Sequence, residues 1–363
     1  MSQLLPPFSC TFSPNMPELM HDLGINLVIS TYQAGKVIIL SAPDKEKLIQ
    51  LPRDFKQAMG IAVDGNRMAI ATSDEVLVLA HHPDLGPTYP AKPDIYDTLY
   101  VPRASYYTGN VDMHDMHFIG NNIVGVNTRF SCLCTIDFNM SFTPIWKPNF
   151  ISELAPEDRC HLNGLALVDN KPKYVTALGQ SDTHEGWRPT KANGGILIDV
   201  ETNEIMLGGL AMPHSPRVYD NQLYILQSAS GELLKIDLAT QKHEVVCDFD
   251  GFCRGFVKYG DFLFIGMSKI RQNSSSFKDL PISKKSTFSG IVAVHMPTMT
   301  KVAQIKYENS VEEIYDVQVI PGFRRPGLLN TSKEDFRRAI VTPNATYWAA
   351  PSDKAPDQMP NIV

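Results

Sequence analysis

The sequence lacks the features that mark several large classes of protein. Its 363 residues include only six cysteines, without the paired spacing of a disulfide framework or a zinc site. No run reaches the ~20 apolar residues of a membrane-spanning helix. The first residues, MSQLLPPFSCTF, lack the basic start and the apolar stretch of a signal peptide. These absences predict a soluble cytoplasmic protein.

The sequence also lacks the excess of positive charge that a broad grip on nucleic acid or anionic lipid requires. Its formal net charge is -6 at pH 7. Hydrophobic residues make up 43% of the chain and charged residues 20%, so a sizeable core can be buried. We therefore expect neither nucleic acid nor a membrane among its partners.

Motifs of common enzyme families are missing as well. The sequence has no glycine-rich dinucleotide fingerprint and no Gly-x-Ser-x-Gly nucleophile elbow. The stretch Ser30–Val37, STYQAGKV, is only superficially similar to a phosphate-binding loop, because the Gly-x4-Gly-Lys-Ser/Thr spacing is absent. A function that depends on one of these motifs is not expected.

What the sequence contains is a succession of short apolar strands separated by polar turns. Asp-Gly, Gly-Asn, Asn-Asn, Asp-Asn and Gly-Asp pairs lie between the strands, and such pairs are typical of antiparallel hairpins. No apolar pattern of helical period extends beyond about three turns. The pattern predicts an all-β fold, which leaves a sandwich, a barrel or a propeller.

A repeated unit favours the propeller. Each unit has a polar lead-in, an apolar strand, a polar turn and a second apolar strand, and the units begin at Gly60, Asp115, Gly164, Arg217, Gly255 and Asp316. The intervals between them bracket the ~40–50 residues of a four-stranded blade. The last unit is incomplete, and the strands between residues 27 and 40 have no lead-in. We expect these N-terminal strands to join the C-terminal inner strand and close a six-bladed β-propeller.

The predicted propeller covers residues 1–326, and the chain then changes character. Residues 327–363 are rich in Pro, Asp, Lys, Asn and Thr, with an isolated TYWAAP at Thr346–Pro351. This composition predicts a C-terminal tail that packs loosely over the ring or is disordered. The aromatic pair Tyr347 and Trp348 would anchor the tail or bind a protein partner.

The lead-ins carry the polar side chains that suggest a functional site. Residues just before the inner strand of each blade lie at one mouth of the central channel of a propeller. The residues three positions before each unit are Gln57, Asp112, His161, His214, Phe252 and Glu313. Those one position before are Met59, His114, Asn163, Pro216, Arg254 and Tyr315. Side chains that can bind a metal ion or carry a proton are thus predicted to lie together around the channel mouth.

Two imidazoles and a carboxylate in this circle predict a mononuclear metal centre. We expect His161, His214 and Glu313 to bind a divalent metal ion, with Fe, Mn or Zn favoured over Ca. Asp112, His114 or His184 would provide a fourth ligand or a catalytic base. The alternative is that polar groups at the mouth only form hydrogen bonds with each other and with water.

Basic and aromatic residues near the same mouth predict how a substrate would be held. The predicted substrate-binding residues are Arg217, Arg254, Arg188, Asn163 and Trp187, with the arginines binding an anionic or polar group. Two of them lie on the long loop Leu178–Gly195, which also carries His184. Loops of this composition usually contact a ligand, and the alternative is a loop that only covers the channel.

An ordered set of motifs resembles a family of uncharacterised bacterial proteins, the DUF4915-like family. The matching stretches are STYQAGK, GNVDMHD, VNTRFSCL, HLNGLAL, DTHEGWR, MPHSPR, CRGF, GMSKIR and EEIYDVQVIPGFRRP. They extend from roughly Asn26 to Pro326. The resemblance implies a family unit of this extent, and it implies no activity.

Taken together, the residues predict a metal-dependent enzyme with its active site at the channel mouth. Its substrate would be polar or anionic, such as a peptide side chain or a sugar acid, and the reaction would be hydrolysis, elimination or Fe-dependent oxidation. The alternative is a non-catalytic propeller that binds a peptide or protein partner across its face.

Overall fold

Six β-sheets of four or five strands make up most of the molecule. The structure is a computed structural model that describes residues 5–270, 280–285 and 287–350. Within each sheet the four blade strands are antiparallel and follow one another from the central channel to the surface. The sheets are the blades of a six-bladed β-propeller, so the predicted fold is confirmed.

The blades are numbered by the order of their inner strands around the ring, starting with the closing blade. Blade 1 contains Asp316–Pro321, Ile25–Thr31, Lys36–Ser41 and Ile49–Asp54, and blade 2 contains Ile61–Asp64, Arg67–Ala71, Glu75–His82 and Thr98–Tyr107. Blade 3 contains Met113–Ile119, Asn122–Asn127, Cys132–Ile136 and Thr143–Trp146, and blade 4 contains Leu162–Val168, Lys171–Ala177, Gly195–Asp199 and Ile205–Leu210. Blade 5 contains Pro213–Tyr219, Gln222–Gln227, Glu232–Asp237 and Lys242–Asp248, and blade 6 contains Phe252–Tyr259, Phe262–Ser268, Gly290–His295 and Thr300–Tyr307.

Blade 1 closes the ring in the predicted way. Its inner strand, Asp316–Pro321, comes from the C-terminal part of the chain and pairs with Ile25–Thr31 from the N-terminal part. The pairing is antiparallel and runs without a bulge from Ile25 opposite Pro321 to Ser30 opposite Asp316. Joining the two ends of the chain in one sheet leaves no open edge between the first and last blades.

A hydrophobic core fills the gap between each pair of neighbouring blades. Between blades 5 and 6, for example, Tyr224 and Leu226 pack with Phe256 and Leu263. Both faces of most blades are therefore buried, and the second strand of blade 6, Phe262–Ser268, is buried along six of its seven residues. This arrangement explains why the strands read as continuous apolar runs rather than as alternating patterns.

The N-terminal residues connect blade 6 to blade 1. Cys10–Phe12 adds a fifth strand at the outer edge of blade 6. The helix Asn15–Leu23 follows and ends at Gly24, whose φ of 64° is the left-handed conformation that glycine adopts readily. Met16 and Met20, one helical turn apart, enter the core between the two blades.

No described helix is both long enough and apolar enough to cross a membrane.

Residues beyond 325 pack against blade 2. Pro326–Leu328 pairs in parallel with Thr98–Tyr107, and the short helix Asp335–Arg338 leads to a hairpin of Ala339–Thr342 and Ala345–Trp348. Leu329, Ala339 and Trp348 join a small core there. The described part of the predicted tail is thus an addition to this blade, and residues 351–363 lie outside the described residues.

Short 3-10 turns occur at Pro83–Leu85, Arg188–Thr190, Pro281–Lys284 and Met296–Thr298.

Candidate functional site

The backbone of four lead-ins shows which residues are equivalent from blade to blade. Gln57, Asp112, His161 and Met212 have φ values of 50°, 51°, 53° and 52°. This left-handed conformation is uncommon for residues other than glycine, so its recurrence marks one structural position. The equivalent of His161 in blade 5 is therefore Met212, and the predicted alignment of His214 with His161 was wrong.

His214 occupies the position of His114. The Nδ1 atom of each lies close to a carbonyl oxygen two residues earlier, at 2.9 Å from Asp112 O and 3.0 Å from Met212 O. Each Nδ1 also lies 2.8 Å from a hydroxyl oxygen 14 residues later, that of Thr128 or Ser228. The prediction failed because it started the unit of blade 5 at Arg217, whereas Ser215 is the residue that follows His214 as Asp115 follows His114.

The corrected alignment defines a mouth ring of one residue from each blade. Its members are Met59, His114, Asn163, His214, Arg254 and Tyr315. All of them except Asn163 line a cavity of about 480 Å³ at the channel mouth. Further lining residues stand two positions earlier in the chain and include Asp112, His161, Met212, Phe252 and Glu313. The volume is in the range of small-molecule sites.

Hydrogen bonds fix the tautomers of His114 and His214. The Thr128 hydroxyl donates its only proton to Leu162 O at 2.5 Å, and the Ser228 hydroxyl donates to Cys253 O at 2.6 Å. Both hydroxyl oxygens can then only accept at the histidine, and so can the neighbouring carbonyls. Nδ1 must therefore carry the proton of each ring, and Nε2 carries the lone pair. In the described part of the chain, neither Nε2 has a hydrogen-bond partner.

Both imidazoles are neutral at neutral pH. Burial lowers the pKa of His114 and of His214 well below the usual value, and the positive charge of Arg254 lowers both further. A neutral imidazole whose Nδ1–H is already held can use Nε2 to accept a hydrogen bond, to take up a proton or to bind a metal ion.

Arg254 is a nearly buried cation in the wall of the cavity. Its guanidinium carbon lies 3.6 Å from the centre of the Tyr315 ring, and Nη1 lies 3.8 Å from Glu313 Oε1. The side chain is 13% exposed, yet it donates no hydrogen bond to any described residue. Guanidinium has five N–H donors, and the nitrogens of Arg254 retain some exposure. The cavity is the place from which an acceptor could reach them.

The loop between residues 178 and 195 covers one side of the cavity. The Trp187 ring lies 4.4 Å from the His161 ring and donates from Nε1 to Asp158 at 3.0 Å. The same carboxylate lies 2.9 Å from His161 Nδ1. Arg188 stacks on Trp187 and pairs with Glu185 at 2.6 Å. Trp187 and Arg188 thus lie at the cavity as predicted, whereas Asp158 was not anticipated.

Three predicted site residues do not line the cavity. Arg217 is buried beneath the mouth, where it donates to both carboxylate oxygens of Asp115 at 2.8 and 3.1 Å. Asn163 is buried and accepts a hydrogen bond from the Thr176 hydroxyl at 2.7 Å. His184 is exposed on the covering loop. These positions do not bring the three side chains to a ligand in the cavity.

The three predicted metal ligands line the same cavity, but they are not placed to hold one metal ion together. His161, His214 and Glu313 all contribute to the wall. Among the residues that the structure describes, no three His, Cys, Asp or Glu side chains are placed to hold a metal ion together. His161 leads into blade 4 and Glu313 into blade 1, which stand opposite each other in a six-bladed ring. A divalent ion, Fe, Mn or Zn, stays a prediction.

Directly after the mouth ring in the chain lies an inner network that connects neighbouring blades. Asp115 accepts from Leu165 N at 3.0 Å, Ser215 Oγ from Gly255 N at 3.0 Å, and Asp316 from Ile61 N at 2.9 Å. Each bond joins one blade to the next. Gly255 is required here, because a Cβ atom at this residue would lie 2.6 Å from the Asp316 Cα.

The two carboxyl groups of the inner network differ in pKa. Burial opposes ionisation of Asp115, but the Arg217 guanidinium and His117 outweigh it and hold the pKa of Asp115 below its usual value. Burial and the nearby Asp115 charge raise the pKa of Asp316 to about 7. The network thus holds one ion pair and a second carboxyl group that resists ionisation.

The chain belongs to the family described as Domain of unknown function (DUF4915), whose model matches residues 14–329. This match confirms the resemblance seen in the sequence motifs. A comparison with curated proteins gives no match. The protein is therefore a β-propeller from a family without an assigned function.

Two solved structures illustrate how far similarity of shape extends. A chain in the crystal structure of a nidogen/laminin complex has 10% identity and a TM-score of 0.49, with 82% of this chain and 98% of that chain covered. The Neurospora crassa Pan2 WD40 domain has 11% identity and a TM-score of 0.39, with 68% and 64% covered. At these values neither structure indicates what the cavity binds.

Proposed function

We propose that the cavity at the channel mouth binds a small anionic molecule and that Arg254 is its anchor. The observation that carries the proposal is the Arg254 guanidinium, which is largely buried and donates no hydrogen bond to a described residue. None of its nitrogens is a fully buried atom without a partner, so an anion in the cavity can reach them and form charge-assisted hydrogen bonds that contribute about 1.5–3 kcal/mol each. A carboxylate or phosphate would accept two parallel hydrogen bonds from this guanidinium.

The other arginines of the cavity are better paired than Arg254. Arg129 donates to Asp112 at 2.8 Å, although its buried Nε has no partner among the described residues, and Arg188 forms two hydrogen bonds with Glu185 at 2.6 and 2.7 Å. The ion pair between Arg254 and Glu313 is longer, at 3.8 Å. An incoming anion therefore gains most at Arg254, where the Tyr315 ring supports the guanidinium plane from one side.

Acid–base chemistry is the reaction type that the side chains of the cavity support. His114 and His214 each present a neutral imidazole with a lowered pKa, and an anion bound at Arg254 would offset the positive charge that lowers it, so that Nε2 could then take a proton from the substrate. We therefore favour an enzyme that acts on a polar or anionic substrate at the channel mouth. The alternative is a non-catalytic propeller in which Arg254 receives an acidic side chain of a peptide or protein partner.

The anchor is tested by titration calorimetry with hexanoate and with D-glucuronate at pH 7.5. We expect at least one carboxylate to bind to the wild-type protein and Arg254→Met to weaken that binding about 10–100-fold, since a hydrogen bond to a charged group contributes about 1.5–3 kcal/mol. Arg67→Met is the matched control, because Arg67 also stacks on an aromatic ring and pairs with a carboxylate, outside the cavity. Absence of binding by both carboxylates, or unchanged binding to Arg254→Met, would contradict the proposal.

The predicted divalent ion needs a separate measurement. Protein purified without a histidine tag, under air and under anaerobic conditions, is analysed for metals by mass spectrometry. A metal centre requires a stoichiometric ion in the wild-type protein and its loss in His161→Ala and His214→Ala with the fold retained. A wild-type protein without a stoichiometric ion in both preparations would remove the metal from the hypothesis and leave the anion site untouched.

A further inference from the structure

We infer that the anionic ligand is a polyhydroxy acid of sugar size, and that His114 and His214 accept hydrogen bonds from its hydroxyl groups. The inference rests on the proposed function, since it takes the anchor at Arg254 as given. It adds the chemical groups that the rest of the ligand would carry. The neutral residues His114 and His214 of the mouth ring would select these groups.

The two histidines can act only as acceptors toward a ligand. The proton of each ring is held at Nδ1, between a backbone carbonyl and a hydroxyl group. These hydroxyls in turn donate to Leu162 O and Cys253 O in neighbouring blades. Moving the proton to Nε2 would break the bonds at Nδ1 in both blades. The ligand must therefore supply the hydrogen-bond donors.

Hydroxyl groups satisfy this requirement better than ammonium groups do. Arg254 is close enough to His114 and His214 for its charge to disfavour a second positive charge on either ring. A ligand ammonium group beside the same rings would meet the same repulsion, and the carboxylates of Asp112 and Glu313 in the same wall are already paired with Arg129 and Arg254. A hydroxyl group donates a hydrogen bond without adding charge, so neutral donors are the favoured match.

The positions of His114, His214 and Arg254 indicate the size of the ligand and the arrangement of its polar groups. His114 lies in blade 3, His214 in blade 5 and Arg254 in blade 6, so one ligand would have to reach three separate sectors of the ring. Its anionic end would contact Arg254, and at least two hydroxyl groups would point to different blades. Met59 and Phe252 provide apolar wall beside these polar groups. A cavity of about 480 Å³ accommodates a molecule with the size of a sugar acid.

The inference is tested with five probes whose groups differ one at a time. D-Gluconate and D-glucuronate carry a carboxylate and several hydroxyl groups, hexanoate lacks the hydroxyls, 6-aminohexanoate adds an ammonium group, and D-glucose lacks the carboxylate. Affinities are measured by titration calorimetry at pH 7.5 on the full chain. We expect one or both hydroxy acids to bind at least about tenfold more tightly than the other three probes, because each hydroxyl hydrogen bond contributes about 0.5–1.5 kcal/mol.

Variants connect this preference to the histidines. Methionine occupies the equivalent ring position in blade 2, as Met59, so His114→Met and His214→Met introduce a residue that the fold already accepts there. Each variant should reduce the preference for the hydroxy acid over hexanoate about 3–10-fold and leave the affinity for hexanoate nearly unchanged. Circular dichroism and thermal unfolding verify that both variants are folded.

The outcomes separate the inference from the proposed function. If hexanoate binds as tightly as both hydroxy acids and binding depends on Arg254, the anchor stands and the inference is wrong. Tighter binding of 6-aminohexanoate, or an unchanged preference in both methionine variants, would also overturn the inference. If no acid binds, the anchor itself fails, and the inference fails with it.

Discussion

The mouth ring and the inner network are one residue apart in the chain but differ in how fully their polar groups are paired. In the inner network, Asp115 accepts hydrogen bonds from Arg217 and from a backbone amide of the next blade. In the mouth ring, the adjacent His114 keeps an Nε2 lone pair, and Arg254 keeps its guanidinium donors, without partners in the described residues. Neighbouring positions in the chain thus have different roles: side chains of the inner network stabilise the fold, and side chains of the mouth ring are available to a ligand.

The irregular starts of the inner strands account for this division. Tyr315 precedes the strand Asp316–Pro321, and the strand of blade 5 has a bulge between His214 and Arg217, so a residue that lines the cavity is followed by one that bonds to a neighbouring blade. Tyr315 lies beneath Arg254 in the cavity wall, whereas Asp316 accepts from Ile61 N in blade 2. Changes in the inner network should therefore alter stability, and changes in the mouth ring should alter binding.

The largest expected effect is the loss of Asp115. Asp115→Ala leaves the Arg217 guanidinium buried without its carboxylate and Leu165 N without an acceptor. We expect the free energy of unfolding to fall by about 3–5 kcal/mol, measured by urea denaturation. If this variant does not fold, Asp115→Asn, which retains an acceptor oxygen, should fold with reduced stability.

Asp112→Asn is the matched control for Asp115→Asn, because asparagine tolerates the left-handed backbone of Asp112. Asp112 also pairs with an arginine, Arg129, at 2.8 Å, but the two side chains are 28% and 35% exposed. A partly exposed pair contributes about 0–1 kcal/mol, so this variant should lose less than about 1 kcal/mol. Equal losses from Asp112→Asn and Asp115→Asn would show that the two ion pairs do not differ as we argue.

The number of blades and the closure of the ring could be predicted from the sequence. Each blade begins with a recognisable lead-in, and the incomplete unit at Asp316 pointed directly to the N-terminal strands. The register within blade 5 was not predicted, because Pro213 and Pro216 interrupt the apolar pattern and the unit was started at Arg217, not at Ser215. As a result, Arg217 was assigned to a substrate although it belongs to the inner network.

A spacing signal would have found the correct register. A hydroxyl residue stands 14 positions after His114, His214 and Arg254, as Thr128, Ser228 and Ser268. That spacing reflects the distance along the chain between the inner strand and the end of the second strand. The signal aligns His214 with His114 without a structure. The sequence could not show that Asp158 holds Trp187, because no local pattern connects residues 29 positions apart.

The second largest effect is a pH dependence that originates in the inner network. The pKa of Asp316 is raised to about 7 from the ordinary 3.8, so between these values the folded protein keeps a proton that the unfolded chain has lost. Stability should therefore decrease as the pH rises from 5 to 7, by on the order of 2 kcal/mol from this residue. Asp316→Asn should remove that decrease in urea denaturation at both pH values. An unchanged pH dependence in the variant would contradict the assignment.

The mouth ring should respond to pH in the opposite direction. The pKa of His214 lies well below the ordinary 6.5, so under mildly acidic conditions the unfolded chain takes up a proton that the folded imidazole refuses. Stability should fall as the pH decreases below 6.5, by on the order of 1 kcal/mol down to pH 5.5. His214→Met should flatten this acid-side decrease. A variant that instead loses the decrease from pH 5 to 7 expected from Asp316 would reverse our assignment of the two layers.

The smallest effect concerns the loop that covers the mouth. Trp187→Phe removes the hydrogen bond from Nε1 to Asp158 but keeps an aromatic ring beside His161. We expect a cost of about 0.5–1.5 kcal/mol, visible as faster amide exchange between residues 179 and 194 with unchanged exchange in the blade strands. Trp348→Phe is the control, because its Nε1 bonds to an exposed hydroxyl on Thr88, away from the mouth. Faster exchange throughout blade 4 would mean that Trp187 stabilises the blade itself. Residues that stabilise the fold would then include the covering loop as well as the inner network.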